Sequence, residues 1–249
     1  MYQFFVEDFQ VGDLSVTIEG GDVNHIRNVL RMRAGEKVRI STASGKNYLC
    51  RLAEIGEMCV QAEILTADVE DTELPNRICL FQGLPKSDKM ELIIQKGVEL
   101  GACEIIPVAM KNCVVKMDEK KAAAKTQRWQ EIAKSAAKQS KRSLIPTVHE
   151  PMDYRRAIAL AGEMEVKLVP YESARGMAAT REAIESIRPG QSIGIFIGPE
   201  GGFADDEIAL AKEAGMELIS LGKRILRTET AGLTALAILM YHMECRIEE

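Results

Sequence analysis

Apolar positions recur along this chain in two different rhythms. From residue 1 to about residue 65 they come in short runs that alternate with polar residues: Leu14 to Ile18 (LSVTI), Lys37 to Ser41 (KVRIS), Asn47 to Leu52 (NYLCRL) and Cys59 to Leu65 (CVQAEIL). Glycines at 12, 20, 21, 35, 45 and 56 punctuate the runs. Alternation puts every second side chain on one face of a strand, and short strands about ten residues apart predict a small β-barrel. One segment departs from this. Asp22 to Met32 places Val23, Ile26, Val29 and Leu30 at helical spacing, with Asp22 or Asn24 as its cap.

Residues 66–76 (TADVEDTELPN) are acidic, contain Pro75 and read as a linker. Beyond them the rhythm changes to continuous apolar runs separated by helical patterns. Runs at 77–83, 103–108, 166–171, 192–198 and 217–222 read as buried parallel strands. Helices are predicted over 88–100, 126–140, 176–187, 204–215 and 230–246. Asp88 and Glu91 have capping-box spacing, and Gly101 suits the left-handed position after a helix. Strand–helix alternation implies a parallel sheet covered on both faces. The chain is therefore expected to be α/β, with a small β domain over 1–70 and a parallel α/β domain over 71–249.

Length and composition agree with that picture. A globular chain of 249 residues buries enough surface to need neither disulfides nor a structural metal. The longest uncharged apolar stretch, Thr230 to Met243, is 14 residues; a membrane span needs about 20, so it reads as a buried helix. The N-terminus lacks a basic segment followed by an apolar one, so no signal peptide is expected. Six cysteines without CxxC spacing read as single thiols in a reduced, cytoplasmic compartment. Three scattered histidines in no HxxxH pattern predict no metal site.

Charge changes the picture. The net charge is −5, which alone argues against a nucleic-acid partner. Yet residues 24–51 hold seven bases (Arg27, Arg31, Arg33, Lys37, Arg39, Lys46, Arg51) against Glu36 alone, and residues 111–142 hold ten against three acids. Such segments can present positive surface to phosphate, or serve as ordinary solvated strand and helix faces.

Ligands of parallel sheets bind beyond the carboxyl ends of the strands. The loops there are Tyr171-Glu172, GPEGGF (Gly198 to Phe203) and GKRILRTETAG (Gly222 to Gly232). Gly198, Gly201 and Gly202 permit close backbone approach, although a plain tight turn has the same composition. A P-loop and a GxGxxG fingerprint are both missing.

The segments KSDKMELIIQKGVELGACEIIPV (Lys86 to Val108), IGPEGGF (Ile197 to Phe203) and LGKRILRTETA (Leu221 to Ala231), together with HIRNVLRMRAGEKV (His25 to Val38), resemble the bacterial ribosomal RNA small subunit methyltransferase E family. The resemblance spans nearly the whole chain. It implies a PUA-like barrel followed by a SPOUT-type α/β domain with a C-terminal trefoil knot, working as a homodimer. It also implies methylation of N3 of one uridine in 16S rRNA with S-adenosyl-L-methionine. Alternatives are a non-catalytic RNA-binding module and a ribose 2′-O-methyltransferase of the same fold. The chain departs from the family where EQSGR is common: it has Lys138-Gln139-Ser140-Lys141-Arg142.

By the same resemblance the cofactor pocket takes Pro170 and Glu172, then Ile197, Gly198, Pro199, Gly201 and Gly202, then Leu221, Gly222, Ile225, Leu226 and Thr230. Arg227 falls to the uracil or its phosphate, and Glu229 or Glu200 to the N3 proton. Another arrangement stays open: an Arg227–Glu229 ion pair bracing the loop, with Thr228 and Thr230 capping a helix that starts near Ala231. Arg27, Arg31, Arg33, Lys86, Gln139 and Arg142 are the expected RNA contacts. His25 reads as a packing or cap residue and Trp129 as core.

Overall fold

The computed structural model describes residues 1–67, 69, 71–174 and 176–247. The chain forms two compact units, 1–73 with 137–145, and 74–136 with 146–249. A division at residue 70 therefore leaves out a later segment that returns to the first unit. Asp68 and Glu70 of the expected linker lie outside the described residues.

The first unit is a five-stranded sheet of β1 (Tyr2–Val6), β2 (Ser15–Glu19), β3 (Lys37–Thr42), β4 (Asn47–Ile55) and β5 (Cys59–Ala67), in the order β1-β3-β4-β5-β2. The β1–β3 ladder is parallel, from Tyr2↔Val38 to Val6↔Thr42, and the other ladders are antiparallel. No ladder among the described residues joins β1 to β2, so the sheet is open where a barrel would close. Phe4, Val16, Ile18, Val38, Ile40 and Leu52 bury the inner face.

The expected helix over 22–32 is interrupted. α1 (Gly21–Asn24) runs into a π-helical turn, His25–Val29, in which Leu30 N bonds to His25 O at 2.8 Å. The wider turn leaves Val29 exposed while Val23 and Ile26 stay buried. Neither Asp22 nor Asn24 caps the helix. Asp22 is drawn to Lys138 Nζ (2.7 and 2.9 Å), and Asn24 accepts from Asn28. His25 is exposed and stands at the C-cap of α1, its backbone N–H turned to Asp22 O.

Residues 137–145 carry the strongest polar cluster of this unit. Arg142 is 5% exposed, and its guanidinium is paired with Glu73. Glu73 Oε1 also accepts from Ser143 N (2.8 Å) and Leu144 N (3.2 Å), and Gln3 Nε2 donates to Arg142 O at 2.6 Å. Arg142, expected as an RNA contact, is buried in this structure in an ion pair with Glu73. Lys141 holds φ +66° just beyond Ser140. Arg142 N bonds to Ala137 O at 3.0 Å, so the turn is a helix-ending motif with its left-handed position filled by lysine.

The second unit is a parallel sheet of β6 (Arg77–Gly83), β7 (Ala102–Ala109), β8 (Thr147–Val148), β9 (Met152–Asp153), β10 (Val166–Pro170), β11 (Ser192–Ile197) and β12 (Glu217–Ile219). The order is β12-β10-β11-β6-β7-β8, with β9 also on β7. Helices connect the strands: α2 (Lys89–Glu99), α3 (Glu119–Ser140), α4 (Tyr154–Ala161), α5 (Met177–Glu185), α6 (Asp205–Glu213) and α7 (Thr228–Ile247). On one face Phe81 of β6 and Phe196 of β11 stack at 4.2 Å, with Tyr154 of α4 edge-on to Phe196. Trp129 is buried, as expected.

Gly101 follows α2 at φ +91°, as the pattern predicts. The capping box does not form. The Asp88 side chain makes no cap bond, and Glu91 pairs with Arg128, Nε to Oε1 at 2.7 Å. No described helix is long and apolar enough to cross a membrane.

Two stability outcomes follow from residues 137–145. Glu73→Ala removes the carboxylate that pairs with the buried Arg142 guanidinium and accepts from the Ser143 and Leu144 amides, and should destabilise the chain by roughly 1–3 kcal/mol; denaturant unfolding measures it. Lys141→Gly should act the other way. It relieves left-handed strain of roughly 1–2 kcal/mol, offset by roughly 0.5–1 kcal/mol of glycine entropy. It also removes a partly buried ammonium disfavoured by burial and by nearby Arg39. The expected net is a gain of about 0.5–1 kcal/mol, read as a higher urea midpoint.

Candidate functional site

Parallel strands β10, β11 and β12 lie side by side, so the loops at their carboxyl ends converge. They enclose a hollow of about 780 Å³. From the first loop come Pro170, Tyr171 and Glu172; from the second Ile197 through Phe203, including Gly198, Pro199, Glu200, Gly201 and Gly202; from the third Ser220 through Thr228, including Leu221, Gly222, Ile225, Leu226 and Arg227. All but two of the residues expected at the cofactor and reaction centre thus line one space. The exceptions are Glu229 and Thr230. Thr230 is exposed on α7, away from the lining.

Side chains from outside the loops fix their shape. Thr180 is buried; its Oγ1 donates to Ser220 O (3.0 Å) and accepts from Ser220 N (2.8 Å). Asn112 Nδ2 donates to Gly201 O and Gly202 O at 3.1 and 3.2 Å. A Cβ on Gly201 would sit 2.9 Å from the Asn112 Cβ, so this approach needs glycine. Gly222 holds φ +107°, which an L side chain rarely adopts. Thr228 is not a cap. Its hydroxyl donates to Gly198 O at 2.6 Å and accepts from Gln82 Nε2 at 2.8 Å, tying the start of α7 to the second loop and to β6.

Charge in the hollow is organised around Lys89, the first residue of α2, which the sequence reading passed over. Its Nζ lies 3.0 Å from Glu200 Oε1 and 3.3 Å from Glu229 Oε2. Glu200 also accepts from Lys86 N at 3.0 Å. Burial pushes the Glu200 carboxyl up, but the Lys89 ammonium and the Lys86 amide outweigh it and hold the group below its ordinary value. The hydrogen bond to Glu200 raises the Lys89 ammonium. The loop-bracing pair of Arg227 with Glu229 does not form: Glu229 turns to Lys89, and Arg227 is exposed with no carboxylate partner among the described residues. The signal for Lys89 in the sequence is its place three residues after Lys86 in the KSDK segment.

The remaining expected contacts scatter by exposure. Arg31 and Arg33 are exposed, Arg31 at φ +52°, as are Lys86 and Gln139. Arg27 is half-buried, 3.9 Å from Glu57. Away from the hollow, Cys79 Sγ, Cys103 Sγ and a Glu104 oxygen lie within 4.8 Å of one another. That set is poorly disposed to take a cation. Glu104 already pairs with Arg77 and with His149 Nε2 (2.6 Å). The hydrogen bond with Cys103 and burial keep the Cys79 thiol protonated.

Comparison with known proteins identifies one family. Residues 72–240 match the family model described as an RNA methyltransferase domain, and residues 18–65 match the RNA methyltransferase PUA domain. The chain is 39% identical to the ribosomal RNA small subunit methyltransferase E of Bacillus subtilis, over 92% of this chain and 90% of that protein. Among solved structures it resembles the Neisseria gonorrhoeae protein of the same name bound to S-adenosyl methionine (35% identity, TM-score 0.83, 97% of each chain). It also resembles a methyltransferase of Legionella pneumophila in complex with the same cofactor (30% identity, TM-score 0.83, 96% of this chain and 97% of that one).

The buried Thr228 hydroxyl is the link on which this scaffold turns. Thr228→Val keeps the shape but strips both hydrogen bonds, and should lower stability by roughly 1–3 kcal/mol. Thr228→Ser should stay near wild type. Urea unfolding of the pair separates lost bonds from lost volume.

Proposed function

The chain belongs to the ribosomal RNA small subunit methyltransferase E family, and we propose that it methylates N3 of a uridine in 16S rRNA of the small ribosomal subunit, using S-adenosyl methionine. The observation that carries this reading is the single hollow formed by the three loops, with its apolar walls and its Lys89–Glu200 pair.

The hollow suits the cofactor. About 780 Å³ lies inside the range of small-molecule sites, roughly 300–1,000 Å³. Ile197, Pro199, Leu221 and Leu226 offer apolar walls for an adenine ring. Glu172 and Asp205 offer carboxylates to a cationic ligand, and Lys223 and Arg224 offer cations to its carboxylate. When bound, the cofactor supplies an electrophilic methyl group on a sulfonium.

The chain's own residues must then hold the base and remove its proton. Uracil N3 carries a proton at neutral pH and is a poor nucleophile until it leaves. Glu200 lines the hollow and Glu229 does not, which favours Glu200 as the proton acceptor. Arg227, exposed in the lining of the hollow and without a carboxylate partner among the described residues, is assigned to uracil or its phosphate. Arg27, Arg31, Arg33, Lys86 and Gln139 are the proposed RNA contacts.

We also read the chain as a cytoplasmic homodimer with a knotted C-terminal region. The uncharged stretch 230–243 of α7, with Tyr241 70% exposed, supports a partner surface. The Thr228 bonds to Gly198 and Gln82 support a chain that returns through this end of the sheet.

The test uses labelled S-adenosyl methionine and small subunits lacking the modification. Label on uridine N3 is the expected result. Label on ribose O2′ would place the chain in another branch of RNA methylation. No label on any RNA, with no heat on titrating S-adenosylhomocysteine, would leave an RNA-binding module.

A further inference from the structure

We propose that Lys89 is a catalytic residue: its ammonium, held between Glu200 in the hollow and Glu229 outside the lining, takes up the negative charge that develops on a uracil carbonyl oxygen while the N3 proton passes to Glu200. The inference rests on the reading of the hollow as a uridine methylation site.

Three observations converge on this residue. Lys89 itself lines the hollow, so its charge is presented to a ligand there. It stands at the start of an 11-residue helix, a rigid mount compared with the loops around it. Its two carboxylate neighbours are unlike each other. Glu200 is a partner inside the hollow at 3.0 Å. Glu229 Oε2 is buried, and the partner it has among the described residues is the Lys89 ammonium at 3.3 Å. A buried carboxylate is costly unless a cation is beside it, and the place of Glu229 in the fold is explained if it fixes the ammonium's position and charge. Glu229 is then a positioning residue.

The charge movement suits an ammonium at this point. The N3 proton moves to a Glu200 oxygen. The electron pair it leaves on N3 bonds the methyl carbon, and the former C–S bonding pair stays with sulfur, which ends neutral. Negative charge thus leaves Glu200 as it arrives on the uracil oxygens. A cation already in contact with the first and facing the space of the second stabilises both ends of the transfer without reorganising. The same cation lowers the proton affinity of Glu200, so Glu200 needs this compensation on the substrate side to work as an acceptor.

The experiment compares wild type, Lys89→Met, Lys89→Arg and Glu229→Gln, all full length. It measures kcat and KM for unmodified small subunits, S-adenosylhomocysteine affinity by calorimetry, and urea midpoints. Lys89→Met should lower kcat by about 10²–10³-fold, the range for losing one oxyanion donor, with KM and S-adenosylhomocysteine affinity held within about threefold. Lys89→Arg should recover part of kcat, and Glu229→Gln should fall between wild type and Lys89→Met. A Lys89→Met kcat within about threefold of wild type overturns the proposal. So does a parallel loss of S-adenosylhomocysteine affinity in Lys89→Met and Lys89→Arg, which would make Lys89 a cofactor contact or a loop brace. If Lys89→Met does not fold, Glu229→Gln decides: lowered kcat at unchanged S-adenosylhomocysteine affinity supports the proposal, and unchanged kcat overturns it. A wild-type protein that leaves N3 unmethylated removes the underlying reading, whereas an active wild type with an unimpaired Lys89→Met removes this inference alone.

Discussion

One buried hydroxyl decides whether this chain has a site at all. Thr228 Oγ1 joins the carbonyl of Gly198 to the side-chain amide of Gln82, so three segments distant in sequence meet within hydrogen-bond reach. Gly198 opens the second loop, Gln82 lies in β6, and Thr228 begins α7. The last loop must therefore start at β12, cross the open end of β10 and return to β11 before α7 can begin. A loop anchored only at β12 would leave the hollow without its third wall. The bonds' worth is modest by itself, but they supply a donor to the Gly198 carbonyl and an acceptor to one buried Gln82 amide hydrogen, the same nitrogen also donating to Gly83 O.

The rest of the hollow depends on β10 and β11 being parallel neighbours with β12 beyond. Parallel strands point their carboxyl ends the same way, so consecutive loops gather on one side without a designed hinge. Helices on both faces keep those loops from drifting, and Thr180 and Asn112 reach in from α5 and from the segment after β7 to hold backbone carbonyls. The apolar parts of the loops thus become walls, while Glu172, Glu200 and Asp205 stand against Lys89, Lys223 and Arg224 in one space.

Much of this was legible in residue order. Continuous apolar runs located β6, β7, β10, β11 and β12, and glycine clusters located the loops, because burial on both faces and close backbone approach leave compositional marks. What escaped has physical reasons. β1 carries Gln3 on a buried position, bonded to Ser41 and Arg142, so its alternation is hidden by a polar residue inside. The π turn at His25–Val29 depends on a single extra residue, to which helical spacing is blind. Arg142 looked like a phosphate contact because sequence shows a charge and never its partner; Glu73 is 69 residues away. Lys89 was missed for the same reason, its meaning residing in two carboxylates more than a hundred residues later. β8 and β9 are two residues each and leave no periodic signal.

That distinction between a charge and its partner also resolves how a chain of net charge −5 can face RNA. Its acids are used where bases would otherwise be buried or mobile: Glu73 on Arg142, Asp22 on Lys138, Glu104 on Arg77, and Glu200 with Glu229 on Lys89. Among the described residues, Arg31, Arg33, Lys86 and Arg227 are exposed and have no carboxylate partner. A polyanion responds to the cations left over, over a Debye length of about 8 Å at physiological salt, and not to the sum over the chain. Lys138 shows the rule at work. Sequence alone reads it as added positive charge toward RNA, but its ammonium is spent on Asp22 and lies 5.7 Å from the Phe4 ring. Net charge is thus a poor guide in either direction, and each base has to be judged by the acid beside it.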